Sequence, residues 1–224
     1  MIRFYFDYIS SNAYLAWLEL PKMAARYGVA VEPVPVLFAG LLEASGQLGP
    51  AEVLPKAIWM ARNNLRKAAL LGVPLHRPRF HPFNPLLALR VSSLAVAAEQ
   101  RRALITLLFE AVWVRGLHVS EPAVVEAVAD EAGLPGRQLV QEAQSAVAKA
   151  CLRTQTDAAI AAGVFGVPTM IVGDELFWGY DDLPFLDLHL AGKDPLDREE
   201  LATWMGGGPR PSAQRRRFRP TGSS

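Results

Sequence analysis

The chain has 224 residues, of which 51% are hydrophobic and 20% charged, with a formal net charge of +1 and a single cysteine, Cys151. A chain of this size buries a full core, its composition is globular rather than disordered, and its near-zero charge gives no field for gathering nucleic acid or an anionic membrane. The lone thiol excludes an intramolecular disulfide and any Cys-x-x-Cys redox or zinc motif.

In chain order, Ile2, Phe4 and Phe6 alternate in a strand predicted over 2–7. "FYFDYISSNAYLAWLEL" then runs from strand to helix through an acid, Asp7, and two serines, with the helix expected over 13–27. Asp7 also breaks what would have to be a signal peptide's apolar core. Pro21 should kink or break the helix, because it lacks an N–H donor. Tyr27-Gly28 reads as a helix stop, and "VAVEPVPVLF" predicts a second strand over 29–37. Such a β-α-β crossover makes its strands parallel.

From Gly40 to Gly163 the strand signal all but disappears. Helical stretches follow: "AEVLPKAIWMARNNLRKAALLG", "NPLLALRVSSLAVAAEQ", "RRALITLLFEAVWVRG", "SEPAVVEAVADEAG" and "GRQLVQEAQSAVAKACLRTQTDAAIAAG". Asn84 before Pro85 and Ser120 before Pro122 are start signals. Phe109 and Trp113 lie on one apolar face that suits a core or a subunit interface equally. "PTMIV", Gly173-Asp174 and "ELFW" then predict a hairpin, and Asp181-Asp182 opens a final helix. Periodicity therefore gives an α/β chain with an all-helical insertion. No apolar run is long enough to span a bilayer, and a single thiol fits the reducing cytosol, so the expected location is cytoplasmic.

The serine turn carries two readings. Ser10 or Ser11 is an ordinary helix N-cap, or its hydroxyl faces a reacting group at the positive end of a helix.

"FYFDYISSNAYLAW" and, far downstream, "AAGVFGVPTMIVGDELFWGYDDL" resemble the 2-hydroxychromene-2-carboxylate isomerases, which are similar to kappa-class glutathione transferases within the DsbA-like branch of the thioredoxin superfamily. "VPVLFAGLLEASG", "LPKAIWMARN", "HPFNPLLALR" and "VWVRGLHVSEPAVVEAVADEAGL" extend the likeness over about residues 2–190. The resemblance implies a thioredoxin-like domain over 1–38 and 156–204, with a helical domain inserted over 39–155. Glycine, proline and clustered arginine predict a disordered basic tail over 205–224.

The resemblance also implies a function: glutathione-dependent cis-trans isomerisation of a 2-hydroxychromene-2-carboxylate-type aromatic compound, as in aromatic catabolism. Ser10 replaces the first cysteine of the redox relatives and would stabilise the glutathione thiolate. Ser11 and Asn12 complete the turn, Ser11 standing where the family usually has proline. Val167, before a cis Pro168, would pair its backbone with the cysteinyl part of glutathione. Tyr180 and Asp181, in "WGYDDL", would hold the γ-glutamyl end, with Asp182 where arginine is common. Lys56 would reach the glycine carboxylate, and Asn84 would face the substrate.

Gln47 and His118 replace the family's asparagine and aspartate. Neither His118 nor His81 has partners at metal-ligand spacing, so no metal is assigned, and Cys151 reads as a small buried hydrophobe. The relatives are commonly homodimers. A kappa-type transferase or peroxidase, or a cysteine-less thioredoxin-like peptide-binding protein, are the alternatives.

Overall fold

The structure, a computed structural model, describes residues 1–94 and 97–206. Strand β1 (Ile2–Phe6) leads through a tight turn to helix α1 (Ser11–Arg26), which returns to β2 (Val31–Pro35). Helices α2 (Phe38–Ser45), α3 (Leu54–Leu71), α4 (Leu86–Ser93), α5 (Ala98–Trp113), α6 (Pro122–Glu131), α7 (Gly136–Glu142) and α8 (Ala146–Ala161) follow. The chain closes with β3 (Thr169–Val172), β4 (Glu175–Trp178), α9 (Leu183–Leu190) and α10 (Arg198–Met205). The strands lie in the order β2-β1-β3-β4. β1 pairs in parallel with β2, as the crossover predicts, and antiparallel with β3, placing Tyr5 opposite Thr169. This is a thioredoxin-like fold with a helical insertion between its β-α-β and β-β-α parts.

Strand alternation divides the core. Ile2, Phe4 and Phe6 face α1 and the inserted helices, where Phe4 stacks on Trp17 at 5.6 Å between ring centroids and Phe6 meets Phe109 at 5.5 Å. Tyr5 points to the other face, into a smaller cluster with Val36, Leu41, Ala159, Val164 and Val167. Phe109 and Trp113 are both buried, so they belong to the core rather than to an interface.

Several boundaries differ from the sequence expectation. α1 runs through Pro21 without a break. A proline costs a helix one backbone bond and some crowding, and the apolar face of α1, including Trp17, Leu20 and Met23 in the core, outweighs that. The long stretch from Gly136 divides into α7 and α8, because Ser145 caps a new helix by accepting from the Ala148 N–H at 3.1 Å. α2 and α10 carry no signal strong enough to be predicted. The helix expected to open at Asp181-Asp182, α9, starts one 3₁₀ turn later than the acids suggest, after Tyr180–Asp182, and is followed by α10 rather than being the last helix. Of the tail expected over 205–224, Met205 closes α10 and 207–224 lie outside the described residues. No helix among the described residues is long and apolar enough to cross a membrane.

Candidate active site

The turn between β1 and α1 is held from every side. Asp7, 1% exposed, accepts from the Ile9 N–H at 3.0 Å through one oxygen and from the Phe38 N–H at 2.9 Å through the other. It thereby ties the end of β1 to the start of α2. Burial pushes its carboxyl up to about 7, against the two N–H bonds that favour the anion. The Tyr8 carbonyl accepts from the Trp113 indole N–H at 2.9 Å, and the Tyr8 hydroxyl meets Ser92 Oγ at 2.6 Å. His81 Nε2 lies 3.1 Å from the Ile9 carbonyl, which makes that nitrogen the protonated one. Burial also lowers the pKa of His81, so the ring favours its neutral form.

What this clamped turn presents is Ser10. Its backbone is extended, it stands at the N-cap of α1, and its Oγ accepts from the Ala13 N–H at 3.2 Å. The same Oγ lies 3.5 Å from the Val167 carbonyl, a long contact that leaves the hydroxyl proton only weakly engaged. The two readings of the turn are thus compatible: capping uses a lone pair of Oγ, and donation uses its hydrogen. Ser11 points elsewhere, accepting from Asn64 Nδ2 of α3 at 2.6 Å. The other amide atom of Asn64, Oδ1, is buried with no partner among the described residues.

Opposite Ser10, the Val167–Pro168 bond is cis. The Val167 N–H has no hydrogen-bond partner among the described residues. Thr169 Oγ1 donates to the Gly166 carbonyl at 2.7 Å, and the Gly179 N–H donates to the Pro168 carbonyl at 2.8 Å, so both flanks of the loop are fixed. Gly166 is required by close approach: a Cβ there would lie 2.5 Å from Trp178 Nε1, with Phe165 packed on the indole at 5.0 Å. Overpacking of this kind costs about 1–3 kcal/mol. Gly166→Ala should lower the melting temperature and alter tryptophan fluorescence. In a Trp178→Ala background the same change should cost almost nothing, and full additivity of the two would contradict the contact.

The third part lies at the turn after β4. Lys67 of α3 donates to Asp181 Oδ2 at 2.9 Å and to Asn12 Oδ1 at 3.2 Å, and its Nζ sits 4.9 Å from the centroid of the Tyr180 ring. Asp182 folds back and accepts from the Trp178 N–H at 2.8 Å, a turn-closing contact rather than a helix cap.

Ser10 with Val167 and Pro168 on one side, and Asn12 with Tyr180 and Asp181 on the other, are therefore brought together at the mouth of α1. Lys56 is not: it is exposed, and its side chain makes no hydrogen bond or ion pair among the described residues. Asn84 is exposed as well; its Oδ1 accepts from the Leu86 N–H at 3.0 Å and its carbonyl accepts from Ser120 Oγ at 2.6 Å. His118 stacks on Phe80 at 4.1 Å, and half-buried Cys151 lies on α8.

Sequence reasoning missed Asp7, Asn64 and Lys67. The signal for the last two is spacing. Met60, Asn64, Lys67 and Leu71 recur at helical intervals, so two polar residues interrupt an inward stripe.

The chain matches the DSBA-like thioredoxin domain over residues 1–191. It is 32% identical over 191 residues to the 2-hydroxychromene-2-carboxylate isomerase of Sphingobium xenophagum, covering 84% of this chain and 97% of that one. It is 23% identical over 224 residues to human glutathione S-transferase kappa 1, covering 92% of each. A solved 2-hydroxychromene-2-carboxylate isomerase superposes with a TM-score of 0.79 at 28% identity, over 93% of this chain and 99% of the other. The protein thus belongs to the 2-hydroxychromene-2-carboxylate isomerase family of enzymes, built on the DsbA-like thioredoxin fold.

Proposed function

We propose that the protein is a glutathione-dependent cis-trans isomerase of a 2-hydroxychromene-2-carboxylate-type aromatic substrate. The observation that carries this is the serine hydroxyl at the N-terminus of α1, beside Val167 and Pro168, where a disulfide oxidoreductase of this fold needs a cysteine. Serine cannot exchange disulfides, so any reactive sulfur at this turn would come with a ligand. The relatives named as kappa-class glutathione transferases support glutathione as that ligand.

The residues present fit it. The unpartnered Val167 N–H suits an extended peptide backbone. Asp181 has one oxygen without a partner among the described residues, which suits an ammonium group. When bound, glutathione supplies a thiol whose anion adds to a conjugated system and leaves again, so that a former double bond can rotate with no net redox change. Ser10 would donate a hydrogen bond to that sulfur while keeping its proton, and the N–H groups of Ser11 and Asn12 would add the positive end of α1. Both favour the thiolate over the thiol at neutral pH. Tyr180 would wall the γ-glutamyl end. Lys56 and Asn84 lie outside this network, so their assignments rest on the resemblance alone. The homodimer and the cytoplasmic location likewise rest on the resemblance and the composition.

Turnover against glutathione tests the proposal. The isomerase should convert many equivalents of a hydroxychromene carboxylate at sub-stoichiometric glutathione, with the thiol titre unchanged at the end. One-to-one thiol loss to a standard electrophile, without isomerisation, would make the protein a kappa-type transferase. Absence of any calorimetric signal with millimolar glutathione would leave a cysteine-less peptide-binding protein.

A further inference from the structure

Lys67 is the unusual member of the site. Its side chain is 8% exposed, whereas that of its partner Asp181 is 69% exposed. Lysine seldom goes under the surface without a reason. Burying the cation costs desolvation that a single contact to an exposed carboxylate does not offset. Its Nζ joins three segments: α3, which carries it; Asn12 in the first turn of α1; and Asp181 in the turn after β4. The Tyr180 ring lies 4.9 Å from the ammonium, within range for a cation–π contact.

This arrangement changes what Asp181 can recognise. A lone exposed carboxylate attracts any amine and repels any acid. Here one oxygen is pinned by Lys67 and the other has no partner among the described residues, so the pair is a fixed dipole with its negative end outward. A dipole of this kind matches a group that carries both charges as substituents of one carbon. An α-amino acid terminus does so, with its ammonium on the carboxylate and its own carboxylate in the field of the lysine.

We infer that Lys67 is a positioning and specificity residue that makes the Asp181 turn select a zwitterionic α-amino acid end over a simple amine. This rests on the glutathione reading, in which that end is the γ-glutamyl α-carbon.

The test compares glutathione with 4-aminobutyryl-cysteinyl-glycine, which keeps the terminal amine and lacks the α-carboxylate, by calorimetry on the full chain. The wild-type protein should prefer glutathione by about 10-fold or more, in line with a charge-assisted contact of about 1.5 kcal/mol or more. Lys67→Met keeps the stem and removes the charge; it should weaken glutathione by about 10-fold, leave the analogue unchanged or tighter, and so abolish the preference. Lys67→Arg should retain it. If Lys67→Met does not fold, Lys67→Met/Asp181→Asn removes both charges together and should bind the two tripeptides equally.

Wild-type protein that binds both tripeptides equally would overturn this inference and leave the glutathione site intact. The same holds for Lys67→Met with an unchanged preference, and for Lys67→Met and Lys67→Arg that lose it alike. Wild-type protein that binds neither would overturn the glutathione reading and the inference with it.

Discussion

Replacing Ser10 with alanine should slow isomerisation by roughly 10- to 150-fold and move the pH–rate profile toward alkaline values. The magnitude follows from the loss of one hydrogen bond to a charged group, about 1.5–3 kcal/mol, applied to the chemical step. The direction follows from which protonation state the hydroxyl favours. Donation to a thiolate lowers the thiol's pKa, so its removal raises that pKa, and a higher pH is needed to populate the anion. Glutathione affinity should change little, because Val167 and Asp181 are untouched.

The structure adds a second, separable effect. Ser10 Oγ accepts from the Ala13 N–H, so the same substitution should also cost about 1 kcal/mol of stability. Ser11→Ala is the control. Ser11 Oγ is the acceptor for Asn64 Nδ2 at 2.6 Å, and Asn64 is 3% exposed. Its loss leaves a buried donor unsatisfied, at about 1–3 kcal/mol, with no predicted shift in the thiol titration. Ultraviolet titration of the bound thiolate and thermal melts on both variants read the two quantities independently. A shifted titration in Ser11→Ala together with an unshifted one in Ser10→Ala would place the donor one residue later.

The register of this turn is where sequence and structure divided the work. "FYFDYISSNAYLAW" made the strand, the turn and the helix legible, because alternation and capping are local. It left two adjacent serines indistinguishable, because their difference is non-local. Ser10 stands by Val167, 157 residues away, and Ser11 meets Asn64, 53 residues away. The same distinction explains the helices. α5 and α6 were readable from their own apolar stripes. The break between α7 and α8 turned on one capping serine inside a continuous apolar pattern. Lys67 was invisible for a related reason: on a helix it reads as a solvated lysine until α1 and the turn after β4 are folded over it. Lys56, about three turns earlier on the same helix, has the same appearance in sequence and remains exposed.

Asp7 should make the protein lose stability as pH rises from about 4 through about 7. Its native carboxyl titrates near 7, well above the ordinary 3.8, so between those values the folded state holds a proton that the unfolded chain has released. Stability then falls with pH across this interval and flattens above it. At about 1.4 kcal/mol per pH unit, the interval between 3.8 and about 7 corresponds to a loss on the order of 4 kcal/mol. Urea unfolding at pH 5 and pH 8.5 should show it as a lower midpoint at the higher pH.

Asp7→Asn should remove that slope. The amide stays neutral, but it has one acceptor oxygen for two N–H donors, those of Ile9 and Phe38. Its NH₂ group must therefore oppose one of them, at about 1–3 kcal/mol. The variant should thus be weaker than wild type at pH 5 and equal or stronger at pH 8.5. A wild-type midpoint that does not move over this range, or an asparagine variant that keeps the slope, would mean the carboxylate is ionised throughout. The functional consequence reaches Ser10, whose N–H bonds the Asp7 carbonyl at 3.1 Å. A charge appearing on Asp7 near neutrality would oppose a thiolate at the mouth of α1. Asp7→Asn should therefore lower the bound thiol's pKa at pH 8.5, opposite in sign to Ser10→Ala and measurable in the same titration.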